Sequence, residues 1–280
     1  MKKNAPLVIG ADGELGSSLA FFLTAAGAEP WTTTRRKDVV AGKKFFLDLA
    51  DPATWEWPAG VTVAFVCAAQ ASLARCEQNP EQSGEINVVR TIGLMQRLLA
   101  KGIFVIFPST NRVFSGRSPF VREEERPSPF DEYGRQKSRV EEELMKFGEN
   151  AAIVRFTKIV SSSMPLVKNW LIDLGGSRPI HPYSDMFLAP VSTRFAAEAC
   201  FRIAGLRKGG IWHVSGVRDV SYADFAVRLA EEKGWSKSLV QAVKTSGYDH
   251  PRFTSLETGR LRNETGIAPP ELSQVVREIV

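Results

Sequence analysis

The fold turns on the stretch Leu7-Val8-Ile9-Gly10-Ala11-Asp12-Gly13-Glu14-Leu15-Gly16. Three apolar residues read as a buried strand, and Leu15 to Ala25 reads as a helix ended by Gly27. Glycines between the two allow a tight turn and a close backbone approach to a pyrophosphate. The helix N-terminus adds N–H groups and a partial positive charge suited to phosphates. The spacing is G-x-x-G-x-x-G rather than G-x-G-x-x-G. In this strand–turn–helix setting it points to dinucleotide binding by Gly10, Asp12, Gly13, Glu14, Leu15 and Gly16, with a merely structural turn as the alternative.

Working outward, short apolar runs alternate with amphipathic stretches. Trp31 to Thr34, Lys44 to Leu47, Val61 to Cys67, Ile103 to Phe107 and Ala151 to Phe156 read as strands. Glu81 to Ala100 reads as a helix with Val88, Ile92, Met95 and Leu99 on one apolar face. Asp131 is placed to cap a helix running to about Phe147. Strands spaced by helices imply βαβ units, and near-continuous apolar strands imply a sheet covered on both faces. The expected fold is α/β, a Rossmann-type doubly wound parallel sheet with a smaller C-terminal substrate-binding lobe. Residues 1–160 form the dinucleotide-binding domain, parts of 190–215 return to it, and 161–280 form most of the lobe. In the lobe, Leu166 to Leu174, Arg194 to Ile203 and Tyr222 to about Lys233 read as helices. Ser221 and Asp224 resemble a capping box for the last of these.

Composition narrows the function classes. The 280 residues are 44% hydrophobic and 24% charged, with a net charge of +5. Basic residues are scattered among acids, not gathered into the aromatic-laced stripe of a nucleic-acid protein. Cys67, Cys76 and Cys200 show no metal spacing, and Cys67 is expected to be buried. His181, His213 and His250 show no ligand spacing either, so no metal site is expected. Trp170 and Trp212 are expected in the core, and His213 in a sheet. The apolar run after Met1-Lys2-Lys3 is too short for a signal or membrane segment, which makes the protein cytoplasmic by expectation.

The second strand, Trp31-Thr32-Thr33-Thr34, runs into Arg35-Arg36 with no acid. An acid there binds the ribose of NAD, whereas Arg accommodates the 2′-phosphate of NADP. The reading favours NADP(H), with NAD(H) and a plain charged turn as alternatives. Further on, Tyr133 and Lys137 stand four apart on one helical face, in a stripe with Val140, Glu141 and Leu144. A carbonyl reductase needs a proton donor, and a nearby cation lowers a phenol from its ordinary value of about 10.

These motifs, in this order, resemble the extended short-chain dehydrogenase/reductases, closest to the dTDP-4-dehydrorhamnose reductase group. The likeness rests on the glycine turn, Phe46-Leu47-Asp48-Leu49, Cys67-Ala68-Ala69, Ile86-Asn87-Val88, Ser109 to Gly116 and Tyr133 to Lys137. It extends to Ser255-Leu256-Glu257-Thr258-Gly259-Arg260-Leu261 with Thr265-Gly266. The resemblance implies Tyr133 as general acid, Lys137 on the nicotinamide ribose and lowering the Tyr133 pKa, and Thr110 on the substrate carbonyl. It also implies Asp48 and Leu49 beside the adenine, Cys67, Ala68 and Ala69 along the cofactor, and Asn87 as a buttress for the helix. The implied activity is NADPH-dependent reduction of a keto group on a nucleotide-diphosphate sugar. A nucleotide-sugar epimerase holding NAD and a non-catalytic dinucleotide-binding regulatory subunit are the alternatives, and a homodimer is a family-level expectation. This chain departs from the group at Asn111-Arg112, where rhamnose reductases carry Asp-Tyr and dehydratases Asp-Glu. Dehydratase chemistry is thereby disfavoured, and Arg112 is a candidate for a negative group on a different substrate. In the C-terminal half, Lys168, Asn169 and Arg252 are candidate substrate contacts, since cations suit phosphates.

Overall fold

Eleven strands and ten α-helices, besides short 3-10 and π turns, occur among the residues described by the structure, a computed structural model covering 5–246 and 251–280. The first part of the chain runs β1 (Ala5–Ile9), α1 (Glu14–Ala25), β2 (Trp31–Thr34), β3 (Lys44–Phe46) and β4 (Val61–Val66). It continues through α2 (Leu73–Gln78), α3 (Pro80–Gly84), α4 (Thr91–Ala100), β5 (Phe104–Thr110), α5 (Glu132–Met145) and β6 (Ala151–Phe156). Then come β7 (Ile159–Val160), α6 (Pro165–Gly175), β8 (Phe187–Leu188), β9 (Val191–Ser192), α7 (Thr193–Leu206) and β10 (Gly210–Val214). The chain ends with β11 (Val220–Ser221), α8 (Tyr222–Glu232), α9 (Gly259–Thr265) and α10 (Leu272–Ile279).

Seven strands form one sheet in the order β10-β6-β5-β4-β1-β2-β3. β1 pairs in parallel with both β2 and β4, so the strand order reverses at β1. In such sheets the ligand crevice lies outside the carboxyl ends of the strands at that reversal. The pairings β2–β3 and β4–β5 are parallel as well.

The chain divides into two compact units. One holds the residues up to Phe114, Arg126–Arg155 and Ala196–Trp212, and the other holds Ser115–Glu125, Phe156–Phe195 and the residues from His213 onward. In the first unit Leu7, Ile9, Val66, Leu94, Met95, Leu98, Val105, Phe107, Val140 and Ile153 form a buried apolar cluster. Each such side chain contributes roughly 1.5–3 kcal/mol by leaving water. In the second unit Trp170, Leu188, Phe225, Leu229, Val276 and Ile279 form another. The segment Ser115–Glu125 lies in this second unit, where Phe253 N–H donates to Gly116 O and Glu257 N–H to Val121 O. The capping box at Ser221 and Asp224 is formed. Trp170 and Trp212 are buried, as is His213 in β10, while His250 lies outside the described residues. Among the described residues no helix is long and apolar enough to cross a membrane.

One expected helix is three segments. Residues Glu85–Arg90, between α3 and α4, form a π-helical turn. This turn rotates the buried face, which carries Asn87, Thr91, Leu94, Met95 and Leu98, while Val88, Ile92 and Leu99 are half-buried beside it. A uniform 3.6-residue period misses this because a π turn inserts an extra residue.

Candidate active site

The glycine turn joins β1 to α1. Gly10 has φ of +86°, and a Cβ there would lie 2.6 Å from Ala68 N. A Cβ at Gly16 would lie 2.3 Å from Gly10 O, so both positions require glycine. At Gly13 a Cβ would meet only Gly10 O, at 3.5 Å, which leaves that side of the turn open. No side chain caps α1 at Gly13. An open glycine beside an uncapped helix N-terminus fits a pyrophosphate. The turn is fixed by Gly10 N–H on Thr33 Oγ1 (3.0 Å) and Cys67 N–H on Ile9 O (2.9 Å). Around it, Glu14 is exposed, Leu15 and Ala68 are half-buried and Ala69 is exposed. Cys67 lies just past the end of β4 at Val66; the residue as a whole is half-buried, but its thiol is enclosed, as the apolar run led one to expect, and burial pushes it up to about 12.

Past the end of β2, where the strand itself carries no acid, the fold brings one in from the glycine turn. The Asp12 carboxylate reaches the end of β2 and accepts from Thr34 Oγ1 at 2.5 Å, Lys44 Nζ at 2.8 Å and Arg36 Nη2 at 3.3 Å. Burial pushes this acid up, but the bonds from Lys44, Thr34 and Arg36 outweigh it and hold Asp12 at about 2. Arg35 and Arg36 are exposed. Asp48 turns its carboxylate to Ala50 N–H (3.0 Å), and Leu49 buries its side chain in the core. Lys44 was not among the candidates from sequence, where nothing marks a lysine at a strand start.

Thr110 closes β5, and its oxygen accepts the Arg112 N–H at 3.2 Å, which leaves its own O–H as a donor. On α5, Lys137 is buried and its Nζ donates to Pro108 O at 2.8 Å. The ammonium lies 4.2 Å from the centroid of the Phe107 ring and 5.8 Å from that of Tyr133. Burial lowers Lys137 to about 8, with Glu141 opposing. The Tyr133 phenol is pushed up by burial, further by Cys76 and Asp131, and drawn down by Arg112. The protein alone therefore keeps the phenol protonated, and the cation acting on it is Arg112.

Two networks hold this group. One turn beyond Lys137, Glu141 takes Ser109 Oγ (2.5 Å) and the Arg155 guanidinium (2.7 Å), tying β5 and β6 to α5. Asn87, turned inward by the π turn, takes Gln70 N–H at 2.8 Å and donates to Gln136 Oε1 at 2.8 Å, so it buttresses α5.

Asn111 and Arg112 sit in a 3-10 turn directly after Thr110. The Arg112 guanidinium pairs with Asp131 Oδ2, while Asp131 Oδ1 accepts the Gly134 N–H at 2.8 Å. Asp131 is thus both the cap of α5 and a clamp on the turn that follows Thr110. A Cβ at Gly134 would lie 2.1 Å from Arg112 O, so the turn packs directly on the helix. The clamp was hidden in the sequence because its partners are 19 residues apart. Its signal is an arginine after the threonine, matched by an aspartate two residues before the tyrosine.

Of the other candidates, Lys168 and Asn169 are exposed on α6 in the second unit. Arg252 is exposed there too, its guanidinium 5.6 Å from the Phe253 ring centroid. In the same unit Asp219 accepts from Thr254 N and Oγ1 (2.7 Å each) and Ser255 Oγ (2.6 Å), which anchors the motif from Ser255 to Leu261.

Comparison with known proteins agrees with this architecture. The chain is 26% identical over 282 residues to the spore coat polysaccharide biosynthesis protein SpsK of Bacillus subtilis, covering 97% of this chain and 95% of that one. A dTDP-4-dehydrorhamnose reductase from Clostridium acetobutylicum superposes with a TM-score of 0.84 at 22% identity, covering 98% of both chains. The enzyme of the same name from Bacillus anthracis, in complex with NADP, gives a TM-score of 0.83 at 20% identity, covering 99% of this chain and 97% of that one. The family model described as the RmlD substrate binding domain matches residues 5–280. The chain belongs to that family, and with it to the NAD(P)-dependent oxidoreductases of the extended short-chain dehydrogenase/reductase type.

Proposed function

We propose that the protein reduces a keto group on a nucleotide-activated sugar with NADPH, and that Tyr133 is the general acid. The observation that carries this reading is the grouping of Thr110, Tyr133 and Lys137 where β5 ends and α5 begins, in the unit that also holds the glycine turn. Gly10, Gly13 and Gly16 would take the pyrophosphate, Arg35 and Arg36 the 2′-phosphate, and Lys137 the nicotinamide ribose. When bound, the nicotinamide supplies hydride to the carbonyl carbon.

The chain's own residues handle the oxygen. Thr110 donates its hydroxyl to the substrate carbonyl, orienting and polarising it. Tyr133, held protonated by its buried setting, gives its proton as negative charge develops on that oxygen. A phenol with a raised pKa is a weaker acid, so Arg112, the cation that draws it down, has the task of stabilising the phenolate left behind. The departure at Asn111-Arg112 supports a sugar other than the rhamnose precursor, and the family's nucleotide-diphosphate handle supports Lys168, Asn169 and Arg252 as candidate contacts.

The test is NADPH oxidation followed at 340 nm against a panel of nucleotide-linked keto sugars, dTDP-4-dehydrorhamnose included. Turnover that vanishes in Tyr133→Phe is the expected result. NADPH binding with no oxidation across the panel would move the protein toward a regulatory role.

A further inference from the structure

The site at the end of β2 contains an acid as well as cations, and this bears on which dinucleotide is held. Asp12 comes from the glycine turn, Thr34 and Arg36 from the end of β2, and Lys44 from the start of β3. Lys44 Nζ and Arg36 Nη2 both converge on Asp12 Oδ1, at 2.8 and 3.3 Å. Thr34 Oγ1 donates to Asp12 Oδ2 and accepts the Arg36 backbone N–H at 3.0 Å, so one hydroxyl fixes both the acid and the arginine. The ion pairs are partly exposed, with side chains of Arg36 at 62% and of Asp12 and Lys44 at 30%. Pairs this open are worth little in water and are readily exchanged. A phosphate offers more charge than one carboxylate and three acceptor oxygens, so it competes well for the same cations.

We propose that Asp12 is an internal stand-in for the 2′-phosphate, and that Lys44 is a specificity residue for NADPH alongside Arg36. With NADPH, the 2′-phosphate takes Lys44 and Arg36 away from Asp12. With NADH, Asp12 keeps its cations and accepts the ribose hydroxyls, doing from the glycine turn what an acid at the end of β2 does in other Rossmann proteins. The pair therefore sets a preference between the two cofactors and permits both to bind. This inference rests on the dinucleotide reading given above.

Isothermal titration of the purified full chain with NADPH and with NADH tests it. Lys44→Met keeps the aliphatic stem and is expected to weaken NADPH by about tenfold while leaving NADH within about twofold. Asp12→Asn is expected to raise the ratio of NADPH to NADH affinity, also by about tenfold. In the unaltered protein, NADPH affinity should fall more steeply with salt than NADH affinity. Equal losses of both cofactors in Lys44→Met, or a loss of NADPH in Asp12→Asn as large as that of NADH, would overturn the assignment. If the unaltered protein binds neither cofactor, the dinucleotide reading itself fails and the inference falls with it. Adenosine 2′,5′-bisphosphate against 5′-AMP repeats the comparison with the 2′-phosphate as the sole difference.

Discussion

Tyr133 and Lys137 illustrate how a local spacing acquires chemistry from its surroundings. The four-residue interval puts both on one face of α5, but burial sets their protonation. Tyr133→Phe removes the hydroxyl that carries the transferable proton and leaves the ring in place, so it should cost about 10²–10⁴-fold in kcat while NADPH affinity by titration stays within about twofold. Near-normal kcat in that variant would remove the catalytic assignment. Lys137 adds a pH signature. Its folded value of about 8 lies below the ordinary 10.5, so between these values the unfolded chain binds more protons than the folded one. Stability from this group is therefore least below pH 8, rises through that window and is complete above it. Urea midpoints of the unaltered protein should climb between pH 8 and 10 relative to Lys137→Met, the full difference being roughly 3 kcal/mol at about 1.4 per pH unit. Parallel midpoints would mean that the ammonium is better solvated than its burial implies.

At the scale of elements, two ion pairs join α5 to its neighbours and differ in burial. Glu141 and Arg155 are almost fully enclosed, at 3% and 1% side-chain exposure. Removing one partner strands a buried charge, so Arg155→Met should cost roughly 3–5 kcal/mol. The double variant Glu141→Leu with Arg155→Met should cost less than the single one, and a larger loss in the double would show that the pair is a net stabiliser. Asp131 tests the other junction. Asp131→Asn keeps an oxygen for the Gly134 N–H but loses the charge opposite Arg112, whereas Asp131→Ala loses both. Alanine should destabilise by about 1–3 kcal/mol, asparagine by less. Both should lower kcat more than they raise KM for NADPH, because the turn after Thr110 loosens against the helix of Tyr133. Equal destabilisation with unchanged kcat would reduce Asp131 to a cap.

For the whole molecule, dinucleotide binding should appear as global stability. At a free concentration about a hundred times Kd, NADPH adds roughly 2.7 kcal/mol to unfolding, and Gly16→Ala, which puts a Cβ 2.3 Å from Gly10 O, should abolish that gain. An unshifted midpoint in the unaltered protein would contradict the glycine-turn reading. The alternation of apolar runs with amphipathic helices, the glycine turn, the Asp131 cap and the Tyr133–Lys137 spacing were all legible from sequence. Each is encoded within a few residues, in a turn or a repeat of fixed period. The π turn at Glu85–Arg90 was not legible, because the pattern on either side still reads as one helix. Nor were the meeting of Asp12 with Lys44, 32 residues on, the pairing of Arg112 with Asp131, or the bond of Ser109 to Glu141. The sequence by itself determined the class of fold and the candidate residues for donating a proton or cradling a phosphate. Only the tertiary structure decided which charges neutralise one another, because those pairings depend on how strands and helices pack, and packing brings together residues whose separation along the chain carries no period.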